Sequence, residues 1–437
     1  MLYIKPNVFF LKPRENGCAY WIIAERYYPI GIKMHRGNIE KRDNKFSAGR
    51  HLTFLDVERE LIEQILAGDD SEHYISPSSE TPIPAETFVC WLETGFMSDM
   101  LKQAYPRYEN IKEKLPPRVR FLAYFALSRT ICLKKAYRRL EPEDFYNMGF
   151  NKVPNYELLR VFVYEKIGRE NLKSIFDLIV LELKRLLKRH DIELGQRIGE
   201  DATDVRALKH DKEADYSGYY KEYGYKMDIV HDLDQETLPL DYKPLSIKED
   251  EGKCTIGMHN HLSQQGIRPK EWNVDGKYAT YSNIAHLQVR GTRLIFRIQD
   301  AWKLNPKGTD ESIKKRYQTY HRHGDFVAGA GLKCMLAFLM KMGDDEYVGA
   351  YFRNQAMKRY EAAPKEYLEE CHERSGKTEG MMGTVKTETA LDMRLPRRGW
   401  NAFKFTANIS MLAFVFAALI RLQNDDTERL GNLTYIT

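Results

Sequence analysis

Cysteine is sparse in this 437-residue chain and never closely paired. Six occur, at positions 18, 90, 132, 254, 334 and 371, and no two are spaced C-x-x-C. That excludes a zinc ribbon and a thioredoxin-like redox motif, and scattered thiols suit a reducing compartment. Cys254, His259 and His261 lie close in sequence, but no second ligand pair stands at zinc-site spacing. Long apolar runs are also scarce. Val8-Phe9-Phe10-Leu11 is too short for a secretory h-region and soon meets Lys12 and Arg14. The stretch from Phe405 to Ile420 is broken by Thr406, Asn408 and Ser410. It falls short of the roughly 20 apolar residues a membrane span needs, so it reads as a buried helix. No internal repeat is visible, and charge of one sign is not in large excess. The net charge is +5, so nucleic-acid binding must be argued from local clusters rather than from the total. The expectation is a cytoplasmic protein with no membrane partner.

What is present is ordinary globular composition, with 43% hydrophobic and 30% charged residues. The length allows two or three domains. His51 to Gly68 has the periodicity of an amphipathic helix, and Ser76 to Pro84 reads as a loop. Phe88 to Arg139 is again helical, with breaks at Pro106 and Pro116-Pro117. Lys134, Lys135, Arg138 and Arg139 form a basic cluster beside Tyr137. Such a cluster suits either phosphate contacts or a solvated helix end, where the dipole favours cations. Asn171 to His190 carries Ile175, Ile179, Leu183 and Leu187 at helical spacing.

The texture changes after Gly195. Gln196 to Val205 reads as a strand and its exit, and Tyr223 to Val230 alternates as a strand does. Leu238-Pro239-Leu240 suits an edge strand, where proline is tolerated. Glu271 to Val274 reads as a strand, Ser282 to Val289 as a helix and Arg293 to Ile298 as a strand. The middle therefore reads β-β-β-β-α-β, and Gly329 to Trp400 reads as mostly helical.

Three acids stand out against this frame. Asp201 and Asp275 are each expected at a strand end, with Asp204 as a competitor to the first. Glu379 is expected on a helix, seven residues before Lys386 and on the same face. Two or three carboxylates can hold a pair of divalent ions, and such a pair activates a nucleophile and stabilises a leaving oxygen in phosphodiester cleavage. Each acid taken alone is as readily a turn, cap or surface residue. Gly380 and Gly383 on the same helix each cost roughly 1 kcal/mol relative to alanine. Close approach of a backbone, of DNA or of a packed helix would justify that cost.

The order and neighbours of these acids resemble the DDE transposases of bacterial and archaeal insertion sequences, which have a ribonuclease H-like core. Asp201-Ala202-Thr203 resembles the first-acid motif. Tyr223-Gly224-Tyr225-Lys226 with Leu238-Pro239-Leu240 resembles the second and third strands. Asp275 to Gly291 resembles the second-acid segment, although its glycine, Gly276, comes one position earlier than is common. Glu379 to Lys386, followed by Arg394 and Arg398-Gly399, resembles the C-terminal Glu-x6-Lys motif. His372 and Ser375 stand where the family often has Tyr and Arg.

The resemblance runs from about Pro154 to Leu422. It implies an α/β fold: a ribonuclease H-like mixed sheet flanked by helices, a mostly helical N-terminal region, and a partly helical insertion before the last catalytic helix. The corresponding segments are 1–150 for DNA-end binding, 151–195 as a helical connector, 196–300 for the first part of the core, 301–365 for the insertion and 366–437 for the completing helices. It further implies that Asp201, Asp275 and Glu379 are catalytic and hold two Mg²⁺ or Mn²⁺ ions. Lys386, Arg394, Arg398 and the cluster Lys134, Lys135, Arg138 and Arg139 would contact DNA. The partners implied are terminal inverted repeats and target DNA, bound by a homodimer at the nucleoid. A catalytically silent DNA-binding protein and a nuclease without strand transfer are the competing expectations.

Overall fold

The computed structural model describes residues 8–11, 20–23, 83–104 and 115–437, apart from 169–170, 219–220, 236–237, 300–301, 322–329, 390, 392–394, 396, 429, 435 and 437. The helix expected over His51 to Gly68 lies outside the described residues, as does Arg394.

The chain divides into two compact units, Met1–Ser76 and Pro77–Thr437. In the first, β1 (Val8–Leu11) pairs antiparallel with β2 (Tyr20–Ile23).

The second unit is mixed α/β, an open mixed sheet flanked by helices. Its strands are β3 (Arg197–Arg206), β4 (Asp215–Ser217), β5 (Glu222–Asp232), β6 (Leu238–Ser246), β7 (Glu271–Val274) and β8 (Arg293–Phe296). β5 lies between β6 and β3, antiparallel to both. β7 then pairs parallel with β3, and β8 parallel with β7. β4 extends the β5 side beyond the end of β6. Parallel strands need a crossover. For β7 and β8 it is helix α4 (Tyr281–Val289), whose first turn is capped by Thr280 accepting from the Asn283 N–H.

The strands expected over 196–205, 223–230 and 271–274 correspond to β3, β5 and β7. β6 is an edge strand but runs on to Ser246, carrying Pro239 and Pro244 where the missing N–H groups cost least. Two elements went unread in the sequence, the short strand β4 and helix α3 (Thr255–Gln264) between β6 and β7. The order is therefore β-β-β-β-α-β-α-β. Gly257, Asn260 and two histidines interrupt the apolar stripe of α3, so its periodicity is faint.

Helix α1 (Leu115–Leu127) carries Pro116 and Pro117 in its first turn, where proline costs little because those N–H groups lack partners anyway. Helix α2 (Leu172–Leu187) buries Ile175, Ile179, Leu183 and Leu187. Both helices and the sheet share one hydrophobic core. Helices α5 (Asp310–Tyr320), α6 (Leu332–Lys341) and α7 (Asp345–Ala362) gather a smaller core of their own around Ile313, Tyr317, Leu339 and Val348, seated on Ala285 of α4.

Helix α8 (Pro364–Glu388) packs on β3 and reaches β7 and β8. Helix α9 (Trp400–Gln423) contains the apolar stretch from Phe405 to Ile420. It is long and apolar enough to cross a membrane, yet its apolar window is entirely buried inside the fold. Two of its polar interruptions have partners: the Thr406 hydroxyl donates to the Ala402 carbonyl at 2.9 Å, and the Tyr242 hydroxyl donates to Asn408 Oδ1 at 2.8 Å. Phe403 stacks on Tyr225 of β5 with ring centroids 4.7 Å apart.

Candidate active site

The parallel pairing of β3 with β7 ends at Glu200 opposite Val274. Asp201 and Asp275 each follow the last paired residue, so their backbones are neighbours where the pair ends. Asp201 is not at the end of its strand, as expected, but in its middle. β3 continues to Arg206 because β5 still pairs with it there. Asp275 leaves β7 as the cap of a 3₁₀ turn, Gly276–Tyr278, and accepts from the Gly276 N–H at 2.6 Å.

Helix α8 brings the third acid. Glu379, Gly383 and Lys386 line the same open cleft, about 610 Å³, as Asp201, Asp204 and Lys277. Asp275 is outside that lining and solvent-exposed. What lets α8 approach is Gly199. A methyl group there would meet His231 Nε2 at 2.6 Å and Thr378 Oγ1 at 2.8 Å. Thr378 precedes Glu379, so this contact sets the depth at which Glu379 enters the cleft. Gly380 and Gly383 have no described atom within 4 Å of where a side chain would begin. Helix packing therefore does not account for them, and they leave that face of α8 smooth.

Cations interleave with the acids. Lys277 Nζ lies 2.8 Å from Glu251 Oε1 and 3.7 Å from Asp201 Oδ1. Burial works against its charge, but Glu251, Asp201 and Asp275 together hold its pKa above the ordinary lysine value. Burial likewise opposes ionisation of Glu251, yet Lys226 and Lys277 bring its carboxyl down to about 2. Lys226 Nζ donates to Glu251 Oε2 at 2.6 Å. Asp204, the competing acid, lines the cleft too and accepts from the Ser217 hydroxyl at 3.3 Å.

Beneath Asp201 is a feature that sequence reasoning missed. Glu200 and Asp228 are both fully buried. Burial raises Glu200 to about 7, against hydrogen bonds from Trp272, Thr255 and Asp228 that favour its anion. Burial and the Glu200 charge push Asp228 well up as well. Trp272 Nε1 donates to Glu200 Oε2 at 2.7 Å and the Thr255 hydroxyl donates at 3.0 Å. Tyr278 donates its hydroxyl to Asp228 Oδ1 at 2.9 Å. Asp228 Oδ2 is buried with no hydrogen-bond partner, and the Glu200 charge opposes its ionisation, so the two acids titrate together. Tyr278 is thereby the anchor of the 3₁₀ turn that Asp275 caps. An acid between Met227 and Ile229 in a strand whose neighbours are buried was the available signal.

The donor set of Asp201, Asp275 and Glu379 is the hard oxygen chemistry that Mg²⁺ and Mn²⁺ prefer. An ammonium already rests within the field of the two aspartates, so the position favours positive charge. The three carboxylates are not drawn to coordination distance. Among the described residues, one trio of possible ligands has its atoms within 4.8 Å, and it is Asp177, Asp241 and His261. Lys173 occupies that cluster, 2.8 Å from Asp241 and paired also with Asp177. His261 Nδ1 lies 2.9 Å from Asp241 Oδ2. The cluster is an ion-pair lattice joining α2, β6 and α3. The cysteine–histidine trio noted in the sequence does not converge: burial raises the Cys254 thiol to about 11, and His259 Nε2 pairs with Thr292 at 3.1 Å.

The remaining basic residues are dispersed. Lys134, Lys135, Arg138 and Arg139 are exposed on the short helix Leu133–Arg139 and do not line the cleft. Arg139 donates to the Ser128 carbonyl at 2.9 Å. Arg398 is exposed and donates to the Lys209 carbonyl at 3.1 Å. The Gly399 N–H behind it donates to Asp211 Oδ2 at 2.8 Å, which fixes the start of α9.

No family model matches this chain, and neither does any curated protein or solved structure compared with it.

Proposed function

We propose that the protein is a transposase of the DDE type, which cleaves DNA at the ends of its element and joins them to a target. The observation that carries the reading is that Asp201 and Asp275 each follow the last paired residue of two adjacent parallel strands, with Glu379 of α8 lining the same cleft as Asp201. Further support comes from the sheet. Numbered from β3, omitting the short β4, the strands run 3-2-1-4-5, with the second antiparallel and the last two parallel to the first. That is the order expected of a ribonuclease H-like core.

In this reading Asp201, Asp275 and Glu379 hold two Mg²⁺ or Mn²⁺ ions, and Lys277 yields its place beside Asp201. Bound there, the ions would polarise the scissile phosphate and raise the acidity of the attacking water or 3′-hydroxyl. Lys386, two helical turns beyond Glu379, takes a phosphate next to the scissile one. The Glu200–Asp228 pair and Tyr278 hold the β3 and β7 ends rigid, so that the carboxylates meet substrate without rearranging. A homodimer would hold both element ends in one complex.

The test is metal-dependent cleavage and strand transfer on duplexes carrying the inverted repeats that flank the reading frame. Asp201→Asn, Asp275→Asn and Glu379→Gln should each abolish cleavage while leaving duplex binding within about twofold. Full activity in any of these variants removes that residue from the site. Cleavage without joining identifies a nuclease, and binding without cleavage under Mg²⁺ and Mn²⁺ identifies a silent DNA-binding protein.

A further inference from the structure

Tyrosine is concentrated in one short segment. Five tyrosines fall between residues 216 and 225. Tyr225 has an internal role, stacked on Phe403 with its hydroxyl donating to Asp211 at 3.0 Å. Tyr216 of β4 and Tyr223 of β5 do not. They face each other across the hairpin in direct register, with ring centroids 5.5 Å apart and planes at 68°, close to edge-to-face. They remain 50% and 56% exposed. Two large aromatic side chains left half in water beside one another form an apolar patch of the kind that marks an interaction site, so their placement calls for an occupant.

Their position says which. Tyr223, Arg206 and Lys386 line a second, smaller cleft whose walls Asp204, Ser217, Ile247 and Lys386 also belong to the first. Tyr223 thus borders the candidate active site, and Tyr216 extends the aromatic surface from it across the hairpin. Cations surround it: Arg206, 3.5 Å from Glu222, and Lys248, 2.6 Å from Asp215, are each well exposed. Exposed ion pairs of this kind contribute about 0–1 kcal/mol and exchange readily for phosphate. Flat π faces beside exchangeable cations, opening into an acid-lined cleft, match a nucleic-acid strand with bases out of the duplex.

We infer that Tyr216 and Tyr223 form a stacking platform for an unpaired base of the DNA strand whose backbone enters the cleft beside Lys386. The inference rests on the transposase reading and deepens it. The substrate is a DNA end that is frayed or single-stranded next to the cleavage point, rather than a fully paired duplex.

The platform is tested by fluorescence anisotropy on the full chain, in Ca²⁺ to prevent cleavage. The probes are one duplex with a three-nucleotide single-stranded extension and the same duplex with abasic nucleotides in that extension. Both carry the same phosphates, so their ratio of Kd isolates stacking. The wild type should favour the base-bearing probe about tenfold, since stacking on an aromatic side chain contributes ~1–3 kcal/mol per base. The Tyr216→Ala/Tyr223→Ala double variant should bind both probes equally, with its affinity for the abasic probe unchanged. Tyr216→Phe/Tyr223→Phe should keep the preference. A wild-type ratio near one, or a preference that survives the double alanine variant, overturns the platform and leaves the transposase reading intact. Failure of the wild type to bind either probe overturns both.

Discussion

His231 Nε2 lies 3.3 Å from Thr378 Oγ1, across the gap left by the missing side chain of Gly199. This contact joins β5, β3 and α8 at one point, two residues from Asp201 on β3 and one from Glu379 on α8. The separation of those two acids therefore depends on a residue that has no side chain.

Gly199→Ala should separate them. The added methyl has nowhere to go between His231 and Thr378, and overpacking of this kind costs about 1–3 kcal/mol. Cleavage should fall at least tenfold while DNA binding persists. Adding Thr378→Ala, which removes one of the two clashing atoms, should restore part of the activity. Unchanged cleavage by Gly199→Ala would mean that the depth of α8 does not matter.

Tyr278→Phe removes the donor to Asp228 Oδ1 without changing the ring. A buried acceptor that loses its partner costs about 1–3 kcal/mol, so the unfolding midpoint should drop by several degrees. Asp275 caps the same turn and should lose its register with Asp201, lowering kcat more than substrate affinity. A stable variant with normal kcat would show that the turn is held by other contacts.

Lys277→Met tests the place of positive charge. Without the ammonium, Asp201, Glu251 and Asp275 repel one another, and the protein in chelator should melt below the wild type. Mn²⁺ should then raise the midpoint of the variant more than it raises that of the wild type, because no ammonium competes with the ion. An equal Mn²⁺ shift in both proteins would separate Lys277 from the ion site.

His259 and His286 face each other with ring centroids 5.2 Å apart. Burial, with Arg290 near both, lowers each to about 4. The unfolded rings take protons near 6.5. Stability from keeping them neutral is thus fully present above pH 6.5 and is lost as pH falls towards 4. The loss is on the order of 1–3 kcal/mol per ring. His286→Phe should flatten the fall in unfolding free energy between pH 6.5 and 4, measured by denaturant titration at several pH values. A slope identical to the wild type would mean that His286 already carries its proton in the fold.

Much of this architecture follows from local pattern. Alternation in 223–230 and the short segment Glu271 to Val274 mark β5 and β7 because a strand can be read from its own residues. The helical face shared by Glu379 and Lys386 needs only the 3.6-residue period. The stretch from Phe405 to Ile420 reads as a helix from its own residues, but α9 is long and apolar enough to cross a membrane, and only the packing around it shows that window buried. What only the tertiary structure decided is everything that depends on register between distant strands. Asp201 is in mid-strand because β5 continues past the point where β7 stops. Glu200 opposes the ionisation of Asp228 because antiparallel pairing puts them on one buried face. Lys277 faces Asp201 because the turn after β7 folds back towards β3, and Tyr216 meets Tyr223 only once the hairpin has closed. Side-chain period is a property of a single segment, whereas the meeting of charges requires two segments to be aligned, and no stretch of chain carries its partner's register within itself.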